Sequence, residues 1–249
     1  MPRTLKIDEK QLRALIASGK TAKEILAELV IQKVQAAQRT PPFDVQISCE
    51  IERHGSDYGG WDICTGMLDS SSIVYSFGIG EDATFDLSLI SRYGCTVYAF
   101  DPTKKSIDWV HANISEPKFI LSVFGLAGFD GSISLYPPEN ENHVSHSIFK
   151  VSARKPVEAP VRSLATIMRQ LGHDHIDIVK MDIEGAEYQV IDTIVAANIP
   201  IRQLLVEFHH RFPGVGMQMT VDAIRKLNGS GFKIFSISPS GMEYCFIRQ

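Results

Sequence analysis

From Ile73 onward, short apolar runs alternate with stripes of apolar residues at helical spacing. This alternation is the pattern of β-α-β units wound around a parallel sheet. The runs Ile73–Phe77, Thr96–Phe100, Phe119–Phe124, Ile176–Met181 and Gln203–Phe208 predict strands. Between the first three, Phe85, Leu89 and Tyr93 keep helical spacing up to Gly94, and Ile107, Val110 and Ile114 do so after Thr103. A third stripe, Leu164, Ile167, Met168 and Leu171, lies between Ser163 and Gly172, residues suited to capping a helix at its two ends. Ala186, Val190, Ile191 and Ile194 form a fourth, and Met217, Val221, Ile224 and Leu227 a fifth. The last 18 residues carry two β-rich runs around Pro239-Ser240-Gly241, which predicts a terminal hairpin.

Two regions break this rhythm. Residues 1–40 read as a helical appendage, in which Asp8 with Gln11 makes a capping pair and Thr21 with Glu24 a capping box, and Ser18-Gly19-Lys20 separates two helices. The pattern stops at Pro41-Pro42, where proline removes a donor and biases the preceding residue out of the helix. The chain therefore divides into an appendage, 1–40, and a main domain, 41–249; the appendage either covers one mouth of that domain or serves as a packing or dimerisation arm. The stretch from Gly128 to Pro160, rich in proline, asparagine and serine, reads as an inserted loop.

Composition narrows the classes. A chain of 249 residues with 44% hydrophobic and 22% charged residues is an ordinary globular composition. A net charge of −4 gives no basic excess for a phosphate backbone, so nucleic acid is not the expected partner. The apolar runs fall far short of the roughly 20 residues that span a bilayer, and the charged start MPRTLKIDEKQLR lacks the apolar stretch of a signal peptide, so no membrane partner is expected and the cytoplasm is the expected location. Cys49, Cys64, Cys95 and Cys245 are scattered without a C-x-x-C pair and read as free thiols.

Candidate chemistry starts at the first strand, which runs directly into Gly78-Ile79-Gly80 and a helix. Glycines at that junction let the backbone approach a ligand, and the helix start supplies free N–H groups. The second strand ends in Asp101, an acidic residue placed to accept ribose hydroxyls. Gly78-x-Gly80-x-x-Ala83 also satisfies a dinucleotide fingerprint, so NAD competes with S-adenosylmethionine. Glu81 and Asp82 at the helix start repel a pyrophosphate but suit a cationic methionine group, and no tyrosine has a lysine four positions later. S-adenosylmethionine is the better fit; an NAD-dependent oxidoreductase and a non-catalytic Rossmann-like binding module are the alternatives.

The fourth and fifth strands end in acids. IDIVKMDIEGAEYQVI places Asp182, Glu184 and Glu187 around Gly185, and LLVEFHH places Glu207, His209 and His210. In open α/β sheets ligands lie at the carboxyl ends of the strands, so Asp182, Glu207 and His209 converge if the two strands are neighbours. Such a group can take a proton from an acceptor hydroxyl, or hold a divalent cation that does so; direct base catalysis is preferred. Glu184 and Glu187 also suit a helix dipole alone. Trp61, Glu184, His143 and His146 are candidate acceptor contacts, whereas His173-Asp174-His175 precedes the fourth strand and falls at the opposite edge.

These blocks together resemble the FkbM-type S-adenosylmethionine-dependent methyltransferases, and more closely the methyltransferase-like branch. VYSFGIGED with YGCTVYAFDPT, IDIVKMDIEGAEYQVI and LLVEFHH carry the resemblance, with YGGWDIC and MEYCFIR beside them. It implies a class I, Rossmann-like fold: a mostly parallel seven-stranded sheet with helices on both faces, a C-terminal antiparallel hairpin and, here, an N-terminal helical cap. It implies that Gly78 and Gly80 wrap the methionine part of the cofactor, that Asp101, followed by Pro102, holds the ribose, and that Asp182, Glu184 and Glu207 match the family's acidic positions. Many class I methyltransferases have an acid where Ser76 stands and a third glycine near Asp82, so Glu81 or Asp82 is left to hold the methionine ammonium. Known members methylate hydroxyls of sugars and natural products, which by analogy makes the acceptor a small molecule or glycan. A homodimer stays open.

Overall fold

The computed structural model describes residues 21, 23–27, 41–137, 148, 155–212 and 214–249. The chain forms two compact units, Met1–Pro42 and Phe43–Gln249. In the first, residues 23–27 are helical, and the capping box is present: the Thr21 N–H donates to Glu24 Oε2 at 2.8 Å and the Glu24 N–H to Thr21 Oγ1 at 3.4 Å. The remainder of the expected appendage lies outside the described residues.

The second unit runs β1 (Ile51–His54), β2 (Trp61–Cys64), β3 (Ile73–Phe77), α1 (Thr84–Tyr93), β4 (Thr96–Phe100), α2 (Lys104–Asn113), β5 (Phe119–Ser122), β6 (Gly125–Leu126), β7 (Gly131–Leu135), β8 (Val157–Arg162), α3 (Leu164–Leu171), β9 (Ile176–Met181), α4 (Glu187–Ala196), β10 (Ile201–Glu207), α5 (Met217–Gly229), β11 (Phe232–Ile237) and β12 (Glu243–Arg248). Seven strands form the central sheet in the order β11-β12-β10-β9-β3-β4-β5. β3, β4, β5, β9 and β10 pair in parallel, and β12 is antiparallel to both neighbours. This is the class I methyltransferase sheet the sequence leads one to expect.

Strands buried on both faces explain why the apolar runs are nearly continuous. Along β3 and β9, Tyr75, Phe77, Val179 and Met181 face a layer that includes Ile167 of α3, Ile191 of α4 and Ile224 of α5. Val74 and Ile178 face the other layer, with Phe85 and Leu89 of α1, Val110 of α2, and Trp61 and Ile63 of β2. Caps end the helices as read: Ser163 accepts from the Thr166 N–H, and Gly94 and Gly172 take the left-handed conformation.

Three expectations are corrected. The 128–160 insertion is not only loop: β7 and β8 at its two ends pair antiparallel and join β6 in a small sheet, order β6-β8-β7. The expected strand Phe119–Phe124 ends at Ser122 because Gly125 and Leu126 leave to pair with β8. The cysteines are not all free: Cys49 and Cys64 form a disulfide with Cα atoms 5.9 Å apart, since the antiparallel β1–β2 pairing places Ile51 opposite Cys64. Such a bond is more usual in oxidising compartments than in the expected cytoplasm. Cys95 and Cys245 are free and buried. Among the described residues no helix is long and apolar enough to cross a membrane.

Candidate active site

β3 lies between β4 and β9, so the chain reverses its winding direction there and a crevice opens beyond the strand ends. A cavity of about 1280 Å³ fills it, lined by Gly78, Gly80 and Pro102 together with Asp182, Glu184 and Glu207.

Backbone geometry demands the first glycine. Gly78 has φ +77°, and a Cβ there would lie 1.8 Å from the Asp182 carbonyl oxygen. The Gly78 N–H donates to the Phe100 carbonyl at 3.1 Å and the Asp182 N–H to the Phe77 carbonyl at 3.2 Å, so three strand ends are tied around this turn. Gly80 follows at φ +61°. Both glycines line the cavity, and the turn fits a ligand that needs close backbone approach.

Asp101 is placed as expected at the tip of β4, but it is 4% exposed and its carboxylate is engaged. Oδ2 accepts from the Ile79 and Gly80 N–H groups at 3.0 and 3.1 Å. Oδ1 accepts from the Thr103 N–H and hydroxyl at 2.9 and 2.6 Å. In this structure it braces the glycine turn from beneath. Asp82 is likewise engaged: it accepts from Ser56 Oγ at 2.6 Å and from the Thr84 N–H at 2.8 Å. Burial pushes its pKa up, but these hydrogen bonds outweigh that and leave it lowered. Asp82 thus takes the Thr84 N–H, one of the free N–H groups at the start of α1, and sets a carboxylate there. Glu81 lines the cavity and pairs with Lys105 at 3.4 Å.

One cofactor assignment fails. Ser76 points into the layer beneath α1, is fully buried and does not line the cavity, because alternate residues of β3 face opposite sides of the sheet and the cavity opens only beyond its end.

The acids converge as the parallel pairing of β9 and β10 requires, with Met181 opposite Val206. Asp182 and Glu207 are partly exposed and line the cavity; His209, 6% exposed, does not. The expectation that His209 acts on substrate is therefore corrected: it lies behind the carboxylates, with Nε2 3.7 Å from Asp182, 3.4 Å from Glu184 and 4.0 Å from Glu207. On its far side Nδ1 meets Glu187 Oε1 at 3.2 Å. Glu187, fully buried, also accepts from the N–H groups of His209 at 2.9 Å and Gly185 at 2.8 Å. It serves as an anchor, beyond any helix-dipole role.

Charge follows from this packing. Burial pulls the His209 pKa down, but Glu187, then Glu184 and Asp182, outweigh it and raise it to about 10. Glu207 is raised to about 8, by burial first and then by Asp182, with His209 opposing. Asp182, Glu207 and His209 offer ligand-type atoms within 4.8 Å of one another. A divalent cation held there would have to displace the His209 proton before Nε2 could serve as a ligand.

Of the expected acceptor contacts, Trp61 and Glu184 line the cavity, whereas His143 and His146 lie outside the described residues. Glu184 adopts φ +54°, a strained value for a side chain with a Cβ. His173 lies at the far edge as read, its Nδ1 2.7 Å from the Tyr75 hydroxyl. Sequence reading missed Lys180, whose signal was a charge inside the buried run IDIVKM. It also missed Leu126, Leu135 and Val161 of the small sheet, which add an apolar wall.

A family model described as Methyltransferase FkbM domain matches residues 72–234. A human protein described as "Probable methyltransferase-like protein 24" is 31% identical over 144 residues, covering 57% of this chain and 33% of that protein. Its counterpart of the same description from Rattus norvegicus is 28% identical over 173 residues, covering 65% and 42%. The chain thus spans between a third and about two fifths of these relatives. Among solved structures, a fibrillarin pre-rRNA processing protein from Methanococcus jannaschii aligns with TM-score 0.45 and 10% identity over 74% of this chain and 69% of that one.

Proposed function

The chain belongs to the methyltransferase FkbM domain family, and on that premise we propose that it is an S-adenosylmethionine-dependent methyltransferase acting on a hydroxyl oxygen of a small molecule or glycan. The observation that carries this reading is that one cavity joins the glycine cradle to Asp182 and Glu207. When bound, the cofactor supplies an electrophilic methyl group on a sulfonium centre.

The chain's own residues do the rest. Gly78 and Gly80 admit the cofactor's methionine part against bare backbone, and Asp101 keeps the turn in shape. Glu207 and Asp182, at the ends of adjacent strands, face the space where an acceptor would sit; Glu207 accepts the hydroxyl proton as the oxygen attacks, and Asp182 beside it orients the acceptor and raises the basicity of Glu207. A carboxylate with a pKa near 8 is a stronger base than an ordinary one, and Glu207 is so placed by burial and by Asp182. His209, fixed by Glu187, holds the carboxylates in one geometry without touching the acceptor. Much of the rate comes from alignment. Two competing classes lose support: Asp82, holding the Thr84 N–H, sets a carboxylate where the pyrophosphate of NAD would approach, and a mere binding module gives no task to Asp182 and Glu207 in the cavity lining.

The test combines binding with product analysis. Titration with S-adenosylhomocysteine is expected to show one site, and incubation with S-adenosylmethionine and a panel of sugars and phenols to yield a methyl ether. Binding of NADH without S-adenosylhomocysteine, or methyl groups found only on nitrogen, would refute the reading.

A further inference from the structure

All six residues of β9 are buried, and two of them carry a charge: Asp177, which pairs with Arg202 at 3.0 Å, and Lys180. Burying an ammonium is costly unless it is paired. Lys180 is 8% exposed, and its Nζ donates to the Phe77 carbonyl at 3.3 Å and to the Gly78 carbonyl. Those are neutral acceptors and account for two of its three N–H groups. No ion pair joins it to a carboxylate of the described residues. In the parallel register Ser76 stands beside it, at a position where an acid would have paired with it. Asp82 and Asp86 act on it through space only, and Asp82 has its own partners in Ser56 and Thr84.

Lys180 nevertheless lines the cavity, next to Gly78 and Asp182. The other cation in the described lining, Arg53, is directed to Asp62 at 3.4 Å. A ligand carrying a carboxylate therefore enters a cavity dominated by acids, where one cation still has a donor to offer.

We propose that Lys180 binds the carboxylate of the cofactor's methionine part with that remaining donor, so that the site recognises the amino acid as well as the nucleoside. The inference rests on the cofactor reading above. It explains why a lysine occupies a buried strand beside Ser76 and just below the glycine turn: the incoming carboxylate supplies the negative charge that position 76 lacks.

The experiment is calorimetric titration of the wild type and Lys180→Gln with two thioethers, S-adenosylhomocysteine and 5′-methylthioadenosine, which lacks the amino acid. Wild type is expected to prefer S-adenosylhomocysteine. In the variant its affinity should fall about 10- to 100-fold, the range of a charge-assisted hydrogen bond, with methylthioadenosine unchanged. Equal loss for both ligands, meaning that Lys180 only braces the turn, or loss for neither, overturns the inference. Should the variant not fold, wild type is titrated with the carboxamide of S-adenosylhomocysteine; binding at least about 10-fold weaker supports the inference, and equal binding overturns it. A wild type that binds neither thioether overturns the cofactor reading itself, and the inference with it.

Discussion

Replacing Gly78 with alanine tests the central geometric claim most directly. The new Cβ would stand 1.8 Å from the Asp182 carbonyl oxygen and 2.9 Å from its carbon. Ordinary contact is about 3.5 Å, so the ends of β3 and β9 must part by more than about an ångström. The residue would also hold φ +77°, which costs a non-glycine about 1–2 kcal/mol. Parting the strands strains the Asp182 to Phe77 hydrogen bond and the Lys180 contacts, each worth about 1 kcal/mol. A stability loss of about 3–5 kcal/mol follows from these contributions. The displaced turn should also weaken S-adenosylhomocysteine binding by at least about 30-fold. Gly172 provides the control: it shares the left-handed backbone, at φ +72°, but a Cβ there meets nothing within 4 Å. Gly172→Ala is expected to lose only about 1–2 kcal/mol and to bind normally. Urea denaturation and calorimetry on both variants decide the matter. If Gly78→Ala binds like wild type and loses no more stability than Gly172→Ala, the close approach of the two strands is not what that glycine is for.

Three further outcomes are expected. Glu207→Gln should lower kcat by about 10²- to 10⁴-fold with little change in S-adenosylhomocysteine affinity, and wild-type kcat should rise with pH through about 8 as Glu207 loses its proton; a flat profile removes it as the base. Stability should fall on the alkaline side. The His209 pKa is raised, so its contribution is complete below about 6.5 and lost as pH climbs through about 10, and Glu207, also raised, gives up its share between about 4.5 and 8. Glu187→Gln should cost about 1–3 kcal/mol at neutral pH by weakening the charge-assisted hydrogen bonds to His209, and should flatten the part of the denaturation-versus-pH curve that His209 produces. Finally, Asp101→Ala should weaken S-adenosylhomocysteine binding by loosening the turn, whereas Asp182→Asn should spare binding and abolish turnover; equal binding by the Asp101 variant would show that the brace is dispensable.

What the sequence determined by itself is whatever depends on residues close together along the chain. The apolar runs placed β3, β4 and β9 to the residue, because a strand buried on both faces is nearly continuously apolar. Ser163 and Gly172 marked the ends of α3 because capping is a local hydrogen-bond problem. The glycine turn was legible for the same reason, as were the acids at the strand tips.

Only the tertiary structure decided what those acids do. Asp101 and Asp82 looked free for a ligand, yet backbone N–H groups and hydroxyls brought from other segments occupy their oxygens. His209 looked exposed to substrate, yet Glu187, 22 residues earlier, draws it behind the carboxylates. Ser76 and Lys180 are 104 positions apart and became neighbours only when β3 paired with β9. The disulfide between Cys49 and Cys64 and the small β6-β8-β7 sheet likewise arise from pairings across the fold. Local pattern reports how much of a residue is buried. Which group it meets when buried is set by strand register and sheet order, and those follow from packing the whole chain at once.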